Sequence, residues 1–120
     1  MQDFKNLIVW QKCHSLTLDV YRTTRHFPGR ECFHLIQQLQ SSSLSVESNI
    51  MEGATRGGDI EFRRFARLAL SSACELEGQL LVARDLDYLD PERFTRMSSF
   101  CEEIREMLWS LIRRLGGSSC

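Results

Sequence analysis

The feature that most constrains this chain is a pattern of apolar residues spaced alternately three and four positions apart, which occurs twice in its second half. This spacing keeps the apolar side chains on one side of an α-helix, because the helix turns once in about 3.6 residues. The first stripe is Phe62, Ala66, Ala69, Ala73, Leu76, Leu80 and Ala83, and the second is Phe94, Met97, Cys101, Ile104, Leu108, Leu111 and Leu115. The pattern predicts two long helices that each bury one side in a helical bundle.

Two more helices are predicted before these stripes. The first runs from about Asn6 to His26 and the second from about Glu31 to Met51, with Gly53 as the C-terminal cap of the second. Their repeating positions are Trp10, Cys13, Thr17, Val20 and Thr24 in the first helix and Leu35, Ile36, Leu39, Ser43, Val46 and Ile50 in the second. Since the connections are short, neighbouring helices must run antiparallel. The sequence therefore predicts an all-α, up-down-up-down four-helix bundle.

The boundaries of the later helices follow from residues with special backbone or capping properties. Gly57-Gly58 marks a turn between the second and third helices. Asp59 is predicted to cap the third helix and Asp90 the fourth. The bundle is expected to occupy residues 1–115, with residues 116–120 as a disordered C-terminal tail.

Composition restricts the classes of function. A chain of 120 residues builds one domain, and its net charge of −1 predicts no strong general attraction to nucleic acid or acidic membranes. The five cysteines include no C-x-x-C pair, and Cys74 and Cys101 lie on predicted apolar stripes, which together predict a reducing compartment. No apolar run approaches the roughly 18 residues of a membrane span. We therefore expect a cytoplasmic, bacterial protein without a membrane partner.

Arginines form two candidate nucleic-acid-binding clusters. Arg63, Arg64 and Arg67 lie near the start of the third helix, where Arg63 and Arg67 share a face, and Arg22 and Arg25 lie beside the first loop. Arginine suits bidentate contacts with phosphate, so the clusters predict contacts with RNA or DNA. The alternative is structural: ion pairs with glutamates of a neighbouring helix for the first cluster, and a solvated loop for the second.

Polar residues also lie near the predicted contact of the second and third helices. They are Asn49, Glu52, Glu75 and Glu77, and Gly53 is assigned to the same turn. Our interpretation is a buried polar network that fixes the turn and the register of the helices. A paired-carboxylate active site is the alternative, but no activated nucleophile accompanies these residues.

No motif predicts catalysis, a cofactor or a metal. Glu31 and His34 form a single E-x-x-H, whereas a di-metal bundle needs two such motifs and two further inward carboxylates. The H-E-x-x-H, P-loop and G-x-G-x-x-G motifs are absent from the sequence. We therefore expect a protein that is not an enzyme and that has no catalytic residue, cofactor or metal ligand.

The predicted helices carry more apolar residues than one core stripe needs. Those off the stripes are Leu68, Leu70 and Leu81 in the third helix and Phe100, Met107, Trp109 and Ile112 in the fourth. A second apolar face on these helices would be exposed in a monomer, and such patches usually mark an interface. The sequence therefore predicts self-association.

The motifs of the whole chain resemble a known family. They are Val9-Trp10-Gln11-Lys12, Asn49-Ile50, Glu52-Gly53, Arg56, Glu61-Phe62, Arg64-Phe65, Ser71-Ser72, Glu75-Leu76-Glu77, the segment LDYLDPE, and Ile104, Met107-Leu108 and Leu111-Ile112. Their order over residues 4–115 resembles the four-helix-bundle proteins of the 23S rRNA intervening-sequence family, which also includes the accessory variability proteins of diversity-generating retroelements.

The resemblance implies an antiparallel bundle and often a homopentameric ring. For retroelement members it also implies a basic surface that meets a reverse transcriptase and RNA. Two positions depart from the family pattern: Gln38 lacks the basic pair that commonly follows it, and Glu47 replaces a common proline. The candidate functions are, in order, a homo-oligomeric scaffold that binds a protein partner, an RNA- or DNA-binding accessory protein, and a metal-dependent enzyme.

Overall fold

The computed structural model describes residues 3–116, which form four long helices and no strand. A short 3-10 turn at Phe4–Asn6 precedes α1 (Ile8–Thr24), α2 (Gly29–Arg56), α3 (Asp59–Asp85) and α4 (Pro91–Gly116). The predicted all-α fold is confirmed. Gly116, placed in the predicted tail, is the last residue of α4, and residues 117–120 lie outside the described part of the chain.

The helices form an antiparallel bundle with a nearly square cross-section, 45 Å long and 22 by 21 Å across. The antiparallel direction is visible between α1 and α2. His14, early in α1, contacts Glu47, whereas Thr24, at the end of α1, contacts the earlier residue Gln40. Within residues 3–116, each helix contacts its two neighbours, and the diagonal pairs α1–α3 and α2–α4 make no contact. The order around the square is therefore α1, α2, α3, α4.

The core follows the predicted stripes closely. Every residue of the α3 stripe is buried, and so are Met97, Cys101, Ile104 and Leu108 of α4. In the last turns of α4 the buried position moves from the predicted Leu111 to Ile112. A straight helix drifts by about 20° per heptad against a strict seven-residue repeat, which explains the shift by one position.

The connection between α2 and α3 differs from the prediction at two residues. The helix α2 continues to Arg56, so Gly53 is a buried helical residue and not a C-terminal cap. Gly57 and Gly58 make the turn with φ values of 79° and 89°, a left-handed conformation that favours glycine. Asp59 is the first helical residue of α3 and makes no side-chain cap, because Gly58 occupies the capping position.

Small residues close the contact between α2 and α3. A Cβ atom on Gly53 would lie 2.9 Å from side-chain atoms of both Phe62 and Phe65, so the absence of a side chain permits this approach. The hydroxyls of Ser45 and Ser72 are hydrogen-bonded across the contact at 2.7 Å. The close helix approach that the alanines and serines predict is therefore present. No helix among the described residues has the length and apolar character needed to cross a membrane.

Candidate interaction surfaces

The predicted arginine cluster of α3 lies at the end of the bundle that carries the α2–α3 turn. Arg63, Arg64 and Arg67 line a groove of about 320 Å³ together with Leu115 and Gly116 of α4. The segments 52–67 and 113–116, which form this end, hold six arginines and three carboxylates. The segments 22–31 and 84–96 at the opposite end hold six arginines and five carboxylates. The turn end is therefore the more basic one.

The three arginines of this cluster have different surroundings. Arg64 donates to Glu61 at 2.8 Å and lies over the Phe65 ring at 4.4 Å. This hydrogen bond lowers the pKa of the Glu61 carboxyl and raises the pKa of Arg64. The ion-pair interpretation therefore holds for Arg64, although its partner is on its own helix. Arg67 is exposed and forms no ion pair within residues 3–116.

Arg63 packs against the C-terminal end of α4. A Cβ atom on Gly116 would lie 2.8 Å from Nε of Arg63 and 2.9 Å from its guanidinium carbon, so the guanidinium covers the backbone there. A cation at this position interacts favourably with the negative end of the helix dipole. Arg63 thus has a structural contact as well as a place in the groove.

Arg22 and Arg25 lie at the opposite end of the bundle from the α3 cluster. Both are exposed, near the C-terminal end of α1. The bundle is 45 Å long, so the two predicted arginine clusters cannot share one compact binding site. Beside them the charges are paired: Arg96 of α4 donates to Asp19 of α1 at 2.9 Å and 3.1 Å, and these bonds raise the pKa of Arg96.

The predicted polar network of the α2–α3 contact is present only in part. Asn49 donates to the backbone oxygen of Ser45 at 2.8 Å and to its hydroxyl at 3.2 Å, which links it to Ser72. Glu52 and Glu75 are exposed, so their predicted burial is wrong. They lie on the outer faces of their helices, where helical spacing alone did not distinguish them from the contact positions.

Glu52 and Glu77 form ion pairs and do not belong to a buried network. Glu52 accepts from Arg56 at 3.1 Å on the surface of α2. Glu77 forms an ion pair with Arg105 at 3.0 Å, which links α3 to α4.

The cysteines differ in exposure. Burial raises the pKa of the Cys101 thiol to about 12, with a further contribution from Glu77. Cys74 is exposed, which corrects its predicted place on an apolar stripe.

Sequence reasoning missed a buried carboxylate between α1 and α2. Glu47 is 5 % exposed, and its Oε2 lies 3.0 Å from Nδ1 of His14. The ring of Trp10 stacks on His14 with centroids 4.9 Å apart. Burial raises the pKa of the Cys13 thiol, and the neighbouring Glu47 raises it further. The available signal was a glutamate on the apolar side of the second helix, one position after Val46.

The off-stripe apolar residues do not form a single second face. Ile112 is in the core, whereas Leu68 is exposed on α3 and does not line the groove between α3 and α4. Leu70, Cys74 and Trp109 line a groove of about 350 Å³ between α3 and α4, the α3/α4 groove. Trp109 is 46 % exposed and lies 5.8 Å from the guanidinium of Arg113.

A second groove lies on the other side of α4. It has a volume of about 590 Å³ and is lined by Leu7, Ile8, Val9 and Met107, with further residues of α4. We term it the α1/α4 groove. Ile8 on its edge is 61 % exposed. This groove contains apolar residues of α1 that the predicted second face on the third and fourth helices did not include.

The described residues offer no cluster suited to a metal ion. Within residues 3–116, no three histidine, cysteine, aspartate or glutamate side chains come together as a ligand group. Glu31 and His34 of the single E-x-x-H are both exposed on α2.

Comparisons with known proteins agree with the fold. The family model described as 23S rRNA-intervening sequence protein matches residues 5–110. A solved structure from Bacteroides thetaiotaomicron, described as a protein with unknown function from the S23 ribosomal protein family, is similar with a TM-score of 0.80. The two chains are 22% identical, and the match covers 88% of this chain and 99% of the other. No curated protein matches this chain.

Proposed function

This chain belongs to the 23S rRNA-intervening sequence protein family, and from that premise we propose that it is a non-enzymatic, homo-oligomeric scaffold or adaptor, in the form of a homopentamer. The observation that carries the proposal is the pair of grooves beside α4, where apolar side chains remain exposed. Contiguous exposed apolar surface on a small protein usually marks a place where another molecule binds.

Covering the grooves would remove large side chains from water. Trp109 and Ile8 are about half exposed or more, and aromatic residues such as tryptophan are enriched at the centres of protein interfaces. Each apolar Å² that is buried contributes roughly 25 cal/mol, so two grooves of this kind favour association. The scaffold then offers its remaining surfaces to a protein partner, for which a reverse transcriptase is our candidate.

Light scattering coupled to size-exclusion chromatography tests the self-association. We expect one discrete species with five times the 13.9 kDa mass of the chain. A species that stays at the monomer mass at high micromolar concentration contradicts the proposal.

The basic turn end supports a second function, an RNA- or DNA-binding accessory role alongside a reverse transcriptase. Arg63, Arg64 and Arg67 share one groove there, and Arg113 and Arg114 lie at the nearby end of α4. A surface with excess arginine attracts phosphates and releases their counterions.

Fluorescence anisotropy with a labelled single-stranded RNA tests this second function. We expect binding at low salt that weakens steeply as salt rises, and at least tenfold weaker binding for Arg63→Glu with Arg67→Glu. The matched control is Arg22→Glu with Arg25→Glu, which makes the same charge change at the opposite end and is expected to have a smaller effect. Absence of binding at low salt rules the function out.

A further inference from the structure

The two grooves beside α4 differ in charge. The α1/α4 groove continues toward the α2–α3 turn as a second depression, and we call the two together the side between α1 and α4. Its charged lining residues are Asp59, Glu103 and Glu106 and one arginine, Arg114. The side between α3 and α4, with the arginine groove, is lined by four arginines and Glu106, which lies on the ridge between the sides.

Several of these charges are already neutralised within the subunit. Glu103 pairs with Lys12, Arg64 with Glu61 and Arg105 with Glu77. Within residues 3–116, however, neither Asp59 nor Glu106 forms an ion pair, and the same holds for Arg63 and Arg67. Arg114 on the first side is also without an ion pair in this part of the chain, and Glu106 borders both sides, so one negative charge on the first side and one positive charge on the second remain in excess for contact with a second molecule.

We propose that one copy of this chain binds the next by placing its α1/α4 groove against the α3/α4 groove of its neighbour. The inference rests on the proposed self-association and states which surfaces carry it. The contact brings the acidic side of one copy against the basic side of the next and covers the apolar residues of both. Each subunit then uses both grooves, one toward each neighbour.

A symmetric dimer fits these surfaces less well. In a two-fold contact the same patch meets itself, so the α3/α4 side would place arginines against arginines, and the α1/α4 side would place carboxylates against carboxylates. Like charges brought together across an interface oppose binding. A two-fold contact would also leave the other groove exposed.

The angle between the grooves limits the size of the assembly. They occupy adjacent sides of a bundle that is 22 by 21 Å across, with α4 at the shared corner. Adjacent sides of a square face directions roughly 90° apart, and a closed ring needs about 90° for four subunits and about 108° for five. The geometry favours a ring of four or five subunits, in agreement with the proposed pentamer.

Two variants that each block one groove test the contact. Ile8→Asp places a carboxylate on the edge of the α1/α4 groove, and Trp109→Asp does so in the α3/α4 groove. Each variant alone is expected to run at the monomer mass. An equimolar mixture is expected to form a one-to-one dimer, because the intact α3/α4 groove of the first fits the intact α1/α4 groove of the second.

A matched control and a second pair of variants separate contact from folding. Val82→Asp changes a side chain that is 48 % exposed and lines neither groove, so it should keep the mass of the wild type. Circular dichroism melting curves check that each variant is folded. The charge reversals Arg67→Glu and Asp59→Arg, at two residues without an ion pair in the described part of the subunit, should each weaken association at least tenfold, and mixing the two should restore it.

Three outcomes overturn the inference. A folded groove variant that keeps the wild-type mass contradicts it, and so does a mixture that yields no one-to-one dimer. If Ile8→Asp remains a dimer while Trp109→Asp is monomeric, the contact is two-fold through the α3/α4 groove. All three leave the proposed scaffold function standing, whereas a monomeric wild type contradicts the scaffold function itself.

Discussion

The contact between α2 and α3 and the contact between α1 and α4 solve the same packing problem in different ways. Between α2 and α3, Gly53 and a row of alanines let the backbones approach, and Ser45 and Ser72 satisfy each other inside the contact. Between α1 and α4, the ion pairs of Lys12 with Glu103 and Asp19 with Arg96 span the surface.

This difference indicates which side of the bundle can bind other molecules. Small residues bring α2 and α3 close together, as the contacts at Gly53 and between Ser45 and Ser72 show. Between α1 and α4 a groove of about 590 Å³ remains near the start of α1, lined by Leu7, Ile8 and Val9 and by residues of α4. The contact between α2 and α3 stabilises the fold, whereas the side between α1 and α4 leaves apolar surface exposed for binding.

Among the changes that test this comparison, Gly53→Ala is expected to have the largest effect on the free energy of unfolding. The added methyl group would meet Phe62 and Phe65 at 2.9 Å, and overpacking of this kind costs about 1–3 kcal/mol. We expect a lower free energy of unfolding in urea. Gly78→Ala is the matched control, because a Cβ atom there meets nothing within 4 Å. It should raise stability by about 0.5–1 kcal/mol, since alanine favours the helix. Equal effects of the two changes would contradict the close contact.

A smaller effect is expected from Ser72→Ala in the same contact. The change removes the hydrogen bond to Ser45, and a buried hydrogen bond contributes about 0.5–1.5 kcal/mol. The double variant with Ser45→Ala should be less destabilised than the sum of the single changes, because both partners are then absent. Ser71→Ala, on an exposed neighbour, serves as the control and should leave the urea midpoint unchanged. Strict additivity would mean that the two hydroxyls do not interact.

The ion pairs between α1 and α4 should matter less for stability. Arg96→Ala removes the pair with Asp19, and exposed pairs contribute about 0.2–1 kcal/mol. Thermal melting at low and high salt checks this, since screening should reduce the difference from the wild type. A loss as large as that of Gly53→Ala would show that α1 is held on α4 mainly by these charges.

Thiol reactivity distinguishes the exposed α3/α4 groove from the buried core beneath α1 and α4 without changing stability. Cys74 lies in the α3/α4 groove and is exposed, whereas Cys13 and Cys101 are buried. The thiolate is the reactive form, and burial raises the pKa of Cys13 and raises that of Cys101 to about 12. In dilute protein at pH 8, iodoacetamide should modify Cys74 well before the other two, as measured by peptide mass spectrometry. Comparable rates for Cys101 and Cys74 would contradict the packing of α4.

Sequence reasoning succeeded wherever one periodic pattern decided the outcome. Every residue of the predicted stripe from Phe62 to Ala83 is buried in α3, because burial follows helical spacing, although the stripe did not include the buried Phe65 and Ser72. The same spacing placed Glu75 near the core, yet Glu75 is exposed. A polar residue beside a stripe can face a neighbouring helix or solvent, and periodicity does not separate the two. Gly53 shows a similar limit, since a glycine near a turn fits a cap as well as a close contact.

The sequence by itself determined the four helices and most of the core, because apolar spacing and turn residues are local properties that can be read along one chain. The tertiary structure decided which off-stripe residues share a surface. It placed Ile112 in the core, Trp109 beside Cys74, and Ile8 on the other side of α4. It also separated Arg22 and Arg25 from the basic turn end. These placements depend on how far each helix is rotated against its neighbours, and that rotation is fixed by contacts between residues distant in the sequence.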